Sequence, residues 1–186
     1  MDIGVPYREL GPVPMQGLLE AVNALPREAW LENLQRQQDY DVHRQTESIV
    51  LIFTDGDGWP DITVSRESGW DHLGEVALPL MEHIIREHYP PGGTVIRAMA
   101  AKLLPGEMIK PHHDSHPSFH HGHRIHVPLV TNPRVRFTVD GRPMPLKVGE
   151  AIEINNQRNH SVTNKGSEAR VNFIFDYVPA DQTTSL

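Results

Sequence analysis

Two short stretches carry the residue types that could do chemistry. The first is Lys110-Pro111-His112-His113-Asp114-Ser115-His116; the second, 46 residues after Asp114, is Asn159-His160-Ser161. Together they offer His-x-Asp and one distant histidine. Two imidazoles and one carboxylate on one face of an Fe(II) ion form the facial triad of non-haem iron oxygenases, which leaves positions open for a co-substrate and O2. In an extended strand, side chains at i and i+2 point the same way. His112 and Asp114 then face one centre and His113 faces away. The third ligand, His160, must arrive on a strand brought alongside by the fold.

Cationic residues recur near these stretches. Arg124-Ile125-His126 repeats the i, i+2 spacing on the next strand, beside apolar Ile125, Val127 and Leu129. An arginine and a histidine turned into a sandwich are costly to bury without an anionic partner. If Asn164-Lys165-Gly166 is a three-residue hairpin loop, His160 lies opposite Arg170 on the same face. A dicarboxylate could then chelate a metal at one end and meet Arg170 at the other, since the planar guanidinium binds a carboxylate through two hydrogen bonds. The competing reading pairs Arg170 with a structural Asp or Glu. Seven of the 12 histidines fall between His112 and His126, and such a run could be a solvated metal-scavenging loop. Against this, Leu103–Ile109 reads as strand, turn and strand, so His112 and Asp114 emerge at a strand end, a rigid place for ligands. The His116–His121 run, with Pro117 and Gly122, reads as a mobile lip with exposed, non-ligating histidines.

The elements that must position these groups are mostly strands. Thr94–Leu104, Met108–Asp114, His123–Val130, Val135–Val139, Met144–Lys147, Ala151–Asn155, His160–Thr163 and Ala169–Tyr177 are short strand candidates. The turns between them include Pro105-Gly106, Asn132-Pro133, Asp140-Gly141 and Val148-Gly149. Asp140-Gly141 is a strong hairpin signal. Eight short strands with regular turns predict a jelly-roll β-sandwich, the cupin type of double-stranded β-helix, mainly β with flanking helices. Ahead of them, residues 1–13 read as an edge strand or arm. Met15–Ala24 reads as a helix on the spacing of Leu18, Leu19, Val22 and Leu25, and Arg27–Trp30 as a short helix or turn. Gln45–Phe53 reads as a buried strand. His72–His88 reads as an amphipathic helix with a Val76, Leu80, Ile84 and Ile85 stripe and with His72, His83 and His88 on its rim. Thr54–Gly58 lacks the spacing and terminal Glu of an EF-hand and is taken as a turn. The expected organisation is one domain over 1–186, with 1–93 supporting a metal-binding core at 94–178.

Composition narrows the function classes. The chain has 186 residues, 38% hydrophobic, with 14 Gly and 16 Pro. That is enough for one domain with a proper core and suits a turn-rich β protein. A net charge of -7 argues against a nucleic-acid surface, which needs clustered Lys and Arg. With no cysteine, disulfides, thiolate zinc sites and a Cys nucleophile are excluded. No apolar run reaches the ~20 residues of a membrane span. The N-terminus lacks the basic and apolar regions of a signal peptide, so the expectation is a cytoplasmic protein.

Five motifs in order carry a resemblance: Pro111-His112-His113-Asp114; Arg124-Ile125-His126-Val127-Pro128-Leu129; Phe137-Thr138-Val139-Asp140-Gly141; Gly149-Glu150; and His160-Ser161-Val162-Thr163-Asn164 followed by Arg170. Over roughly residues 95–178 the chain resembles the aspartyl/asparaginyl β-hydroxylases, with bacterial proline hydroxylases of the same fold as relatives. The resemblance implies an Fe(II)- and 2-oxoglutarate-dependent dioxygenase on a double-stranded β-helix, with O2 as second co-substrate. It implies His112 and His160 as iron ligands and Arg170 as the 2-oxoglutarate clamp. Arg124 and His126 would contact the other end of the co-substrate or the groups behind the ligands. Animal members lack a carboxylate at the position of Asp114; the proline-hydroxylase relatives keep it, and this chain sides with them. The substrate expected is an amino acid, free or within a peptide or protein. His43 and Arg44, ahead of the Ser48–Phe53 strand, are candidates to reach a substrate carboxylate. The runner-up reading is a non-oxygenase cupin that holds Zn(II), Ni(II) or Mn(II) on the same three residues for binding, isomerisation or hydrolysis. A third is a passive His-rich metal buffer.

Overall fold

In the C-terminal half, residues alternate between two environments, and this alternation sets the architecture. The computed structural model describes residues 1–32 and 46–182. Its strands are β1 (Tyr7–Pro12), β2 (Thr46–Asp55), β3 (Thr63–Arg66), β4 (Thr94–Leu103), β5 (Met108–His112), β6 (His123–Val130), β7 (Val135–Val139), β8 (Arg142–Met144), β9 (Glu150–Ile154), β10 (His160–Asn164) and β11 (Arg170–Val178). Two α-helices, α1 (Gln16–Ala24) and α2 (Gly69–His88), and short 3-10 turns at Arg27–Leu31, Pro117–His120 and Ala180–Gln182 complete the described elements. The strands form a seven-stranded sheet, β1-β9-β6-β11-β4-β2-β3, and a four-stranded sheet, β5-β10-β7-β8. This is the jelly-roll, cupin-like double-stranded β-helix that the turn pattern predicts.

The inner strands of the large sheet are buried on both faces, whereas its edge strands β1 and β3 are half-buried or exposed. In β11, Val171, Phe173, Phe175 and Tyr177 join a core shared with Leu73, Ala77, Leu80, Met81 and Ile84 of α2 and with Leu18 and Val22 of α1. The alternate residues Arg170, Asn172, Ile174 and Asp176 take the opposite side, toward the small sheet. A second core lies between the sheets: Leu103, Ile109, Phe137, Val139, Ile152, Ile154 and Val162. One close approach fixes α2 on the large sheet. A Cβ at Gly69 would stand 2.3 Å from the Val50 carbonyl oxygen, so only glycine lets the helix start that near β2.

A buried carboxylate ties the outer face together. Glu153 of β9 accepts from Arg8 Nη2 of β1 (2.6 Å), from the Tyr89 hydroxyl at the end of α2 (3.1 Å) and from His123 Nδ1 of β6 (2.5 Å). Burial pushes the Glu153 pKa up, but the hydrogen bond and charge of His123, with Arg8, outweigh it and hold the carboxyl below its ordinary value.

Several boundaries differ from those read in the sequence. The strand that carries His112 ends there and does not continue to Asp114. The β8 strand is Arg142–Met144, not Met144–Lys147, because Asp140 (φ 51°) and Gly141 (φ 70°) turn the chain at once in the left-handed geometry of a two-residue hairpin. Strand β3, four largely exposed residues, has too little apolar content to be seen in the sequence. The buried stripe of α2 centres on Leu73, Ala77, Leu80, Met81 and Ile84, with Val76 and Ile85 at its edge. The His160–Arg170 hairpin is incorrect. β10 pairs with β5 and β7, whereas β11 pairs with β4 and β6, so the chain crosses from one sheet to the other between Asn164 and Arg170. Asn164 holds that crossing: its buried carboxamide donates to the carbonyls of Leu103 (3.3 Å), Leu104 (3.3 Å) and Glu168 (2.8 Å).

Candidate active site

Three side chains of the required types converge. His112, Asp114 and His160 each bring a ligand atom within 4.8 Å of the others, the one such group of three among the described residues. Strand pairing creates the meeting: in the small sheet His160 lies directly opposite His112, and their rings stand 4.4 Å apart. Both histidines are oriented in the same way. His112 Nδ1 lies 2.8 Å from the Lys110 carbonyl, and His160 Nδ1 lies 3.0 Å from the Arg158 carbonyl. A ring nitrogen facing a carbonyl oxygen must carry the proton, so Nε2 is the lone-pair nitrogen in both rings. Such a backbone acceptor behind the imidazole is how metal-binding histidines are held. Burial lowers the His160 pKa, with Asp114 opposing, and this keeps the ring in the neutral form a cation needs.

Asp114 sits just past the end of β5, fastened by its own N–H to the Asn156 carbonyl (3.1 Å). Its side chain is 10% exposed, and Arg124 Nε stands 3.3 Å from Oδ2, an ion pair outside hydrogen-bond geometry. Burial raises the Asp114 pKa; Arg124, His160, His112 and Arg97 together outweigh it and hold the carboxylate ionised. His113 is exposed, as the alternation requires.

Beside this trio is a cavity lined by Ala101, Ile109, Phe137, Val162 and Ile174, with His126 and Arg170 at its wall. Arg170 is 3% exposed. Its Nε and Nη2 are buried with no hydrogen-bond partner, and no carboxylate among the described residues forms an ion pair with it. Burial lowers its pKa from 12.5 to about 10, so it is a cation at neutral pH. Its guanidinium lies 5.6 Å from the centroid of Phe137, whose ring also faces His126 (5.5 Å) and His160 (6.2 Å). A buried cation with unsatisfied donors, in one cavity with three side chains of metal-ligand type, is able to receive an anion that also chelates a metal. The donor set and these unsatisfied donors fit a divalent ion with a chelating carboxylate.

Arg124 is placed differently. It is turned inward from β6, but its Nη1 donates to Asp176 Oδ1 (3.1 Å) and Oδ2 (3.0 Å), so its anionic partners are Asp176 and Asp114. Burial raises the Asp176 pKa, and Arg124 and Arg97 offset part of that rise. Asn172 Nδ2 donates to His126 Nδ1 at 2.8 Å, which leaves the proton of that ring on Nε2. The structure therefore brings together His112, Asp114, His160, Arg124, His126 and Arg170; His43 and Arg44 lie outside the described residues. His116 and His121 are half-buried, not exposed: His116 Nε2 is 2.6 Å from the Gly56 carbonyl, and His121 stacks on Trp59 at 4.8 Å. Asp176, Arg97 and Asn172 escape a reading of the sequence. The one signal was a polar residue at every second position of an otherwise apolar strand, Arg170, Asn172 and Asp176.

A sequence model described as aspartyl/asparaginyl beta-hydroxylase matches residues 20–179. It extends well upstream of the 95–178 segment on which the resemblance rests. No curated protein sequence matches the chain significantly. Among solved structures the chain is similar to a non-haem monooxygenase, the ThoJ–Ni complex (TM-score 0.58, 14% identity, 94% of this chain and 74% of that one). It is also similar to EvdMO1 (TM-score 0.58, 13% identity, 94% of this chain and 47% of that one). A third is an oxidoreductase of the 2OG-Fe(II) oxygenase family from Burkholderia pseudomallei (TM-score 0.54, 11% identity, 72% of this chain and 67% of that one). The chain thus spans about half the length of EvdMO1. At these identities the likeness is one of fold. The sequence match itself, running from within α1 through α2 and every strand from β2 to β11, makes the chain a member of the aspartyl/asparaginyl β-hydroxylase family.

Proposed function

We propose that the chain acts as one Fe(II)- and 2-oxoglutarate-dependent dioxygenase domain that hydroxylates an amino acid, free or within a peptide or protein. The observation that carries this reading is Arg170, a buried cation with two unsatisfied nitrogens in the same cavity as His112, Asp114 and His160. His112 and His160 bind the iron through Nε2, and Asp114 supplies the negative ligand. Arg170 holds the far carboxylate of 2-oxoglutarate, and His126 donates from Nε2–H into the same cavity. The charges of a divalent metal, one carboxylate, a dicarboxylate and the Arg170 guanidinium sum to zero, and the second guanidinium of the cavity, Arg124, is paired with Asp176. When bound, the metal and 2-oxoglutarate supply the oxidising chemistry: 2-oxoglutarate, O2 and a substrate C–H become succinate, CO2 and C–OH. The protein contributes position and dryness. Phe137, Ile109, Val162 and Ile174 keep water from the cavity, and the backbone carbonyls behind both imidazoles fix their tautomers.

The test is succinate release by purified protein with Fe(II) and 2-oxoglutarate across free amino acids and Asp-, Asn- and Pro-containing peptides. The expected result is release stimulated by at least one substrate. No succinate above a metal-free control across the panel would refute the reading.

A further inference from the structure

The interior carries more charge than metal and co-substrate binding require. Asp176 lies on β11, the strand between β4 and β6, and its register places it directly beside Arg97 on one side and Arg124 on the other. All three are nearly buried, with side chains 2%, 6% and 8% exposed. Asp176 Oδ2 lies 3.7 Å from Arg97 Nη1 and 3.0 Å from Arg124 Nη1. The same Arg97 Nη1 donates to Ser118 Oγ at 2.9 Å, and the guanidinium covers the Phe119 ring at 4.4 Å. Arg124 spans two carboxylates, Asp176 through Nη1 and Asp114 through Nε at 3.3 Å. The run of contacts therefore ends on one of the three candidate metal ligands.

We infer that Asp176 is a positioning residue of the metal site, holding Arg124 so that it steadies one oxygen of Asp114 without capturing the carboxylate. The inference rests on the assignment of His112, Asp114 and His160 as ligands. Its physical basis is the shape of arginine. A guanidinium released from its second partner closes on a carboxylate through two parallel hydrogen bonds, and Asp114 paired in that way competes with a cation for the same lone pairs. Asp176 holds Nη1 with both of its oxygens, which fixes the guanidinium plane in the position where its Nε meets Asp114 Oδ2 at 3.3 Å outside hydrogen-bond geometry. Its negative charge also balances Arg124 close to where a divalent ion would bind. Groups behind a metal ligand set ligand orientation, and their loss costs about 10–100-fold in metal affinity.

The experiment uses the full chain, with Mn(II) alone as titrant in calorimetry and Co(II) as a visible-spectrum reporter of ligand geometry. Wild type binds Mn(II), and Asp114→Ala abolishes that binding. Asp176→Asn weakens Mn(II) by roughly 10–100-fold and shifts the Co(II) bands. Arg97→Gln, which leaves the Asp176–Arg124 contact in place, loses less Mn(II) affinity than Asp176→Asn does. Arg97→Gln/Asp176→Asn, which removes both buried charges, repeats the loss and serves if the single Asp176 variant does not fold. Wild-type affinity and an unchanged Co(II) spectrum in the folded Asp176 variant would overturn the inference while leaving the ligand assignment standing. So would an equal loss in Arg97→Gln, because the network would then be acting only as packing. Failure of wild type to bind Mn(II), or wild-type binding by Asp114→Ala, would overturn the ligand assignment and the inference with it.

Discussion

Replacing Arg170 with methionine should stabilise the metal-free protein and abolish binding of 2-oxoglutarate. Arg170 is 3% exposed, and burial lowers its pKa from 12.5 to about 10. At about 1.4 kcal/mol per tenfold, that difference is a penalty of about 3 kcal/mol for keeping the guanidinium charged in the fold. The sign follows from the direction. Below about pH 10 the side chain is charged in both folded and unfolded chains and the full penalty applies; it is relieved as pH rises from there toward 12.5. Methionine replaces the aliphatic stem of arginine and ends in an apolar group, inside a cavity lined by Ala101, Ile109, Phe137, Val162 and Ile174. A chain of this size shifts by about 2–4 °C per kcal/mol, so the variant should melt up to about 10 °C higher at pH 7. Addition of 2-oxoglutarate to the Mn(II)-loaded proteins should close that gap. Wild type gains about 3 kcal/mol at a hundredfold excess over Kd. The variant gains almost nothing, because truncating the charge partner of a carboxylate costs about 2–5 kcal/mol of affinity. Thermal unfolding by circular dichroism, with and without ligand, measures both halves. A variant that melts lower than wild type and still responds fully to 2-oxoglutarate would refute the argument, since Arg170 would then have to be paired within the protein.

Asp114→Ala should leave the fold intact, because Arg124 keeps Asp176 as its partner, and should lose Mn(II) binding in calorimetry, whereas His113→Ala, an exposed position, should bind as wild type. The opposite pattern would mean that the alternation is off by one. Phe137→Ala should cost about 3–5 kcal/mol in urea unfolding and weaken 2-oxoglutarate more than Mn(II), because the ring packs against Arg170 as well as His160 and His126. Glu153→Gln should be less stable at neutral pH and less sensitive to acid. A carboxyl held below its ordinary 4.5 contributes stability that is fully present above that value and is lost as pH falls through the folded pKa. Urea midpoints measured from pH 7 to pH 3 should therefore converge between variant and wild type, and parallel curves would count against the role of the Glu153 cluster.

The chemistry was legible where it depended on local spacing. Residue types and strand alternation gave His112 and the exposure of His113, whereas Asp114 lies past the end of β5, held by the Asn156 carbonyl, and His160, named by its type and by the family resemblance, arrives on β10. Arg170 was found by a pairing that does not exist. Its convergence with His160 comes from two sheets facing each other, which no hairpin count can express. Asp176 was invisible for a related reason. Within Val171–Val178 it looks like one polar interruption of an apolar strand, and its meaning lies in Arg97 and Arg124 on the two neighbouring strands, 79 and 52 residues away in sequence. Strand β3 was missed because four exposed residues carry too weak a pattern, and α2 was centred one stripe off because Ala77 and Met81 pack as well as longer aliphatic side chains.

The crossing between Asn164 and Arg170 has a further consequence. It puts His112 and His160 on one sheet and Arg170 on the other, so in the proposed function the span from metal to clamp is set by the gap between the sheets, typically about 10 Å from backbone to backbone, less the reach of these side chains. The interior side chains Phe137, Ile109 and Val162 are then spacers that fix the jaws of a caliper. Trimming one should admit a diacid of different chain length, and enlarging one should reject 2-oxoglutarate while leaving the metal in place. On the proposed function, the length of dicarboxylate accepted is measured by the hydrophobic core.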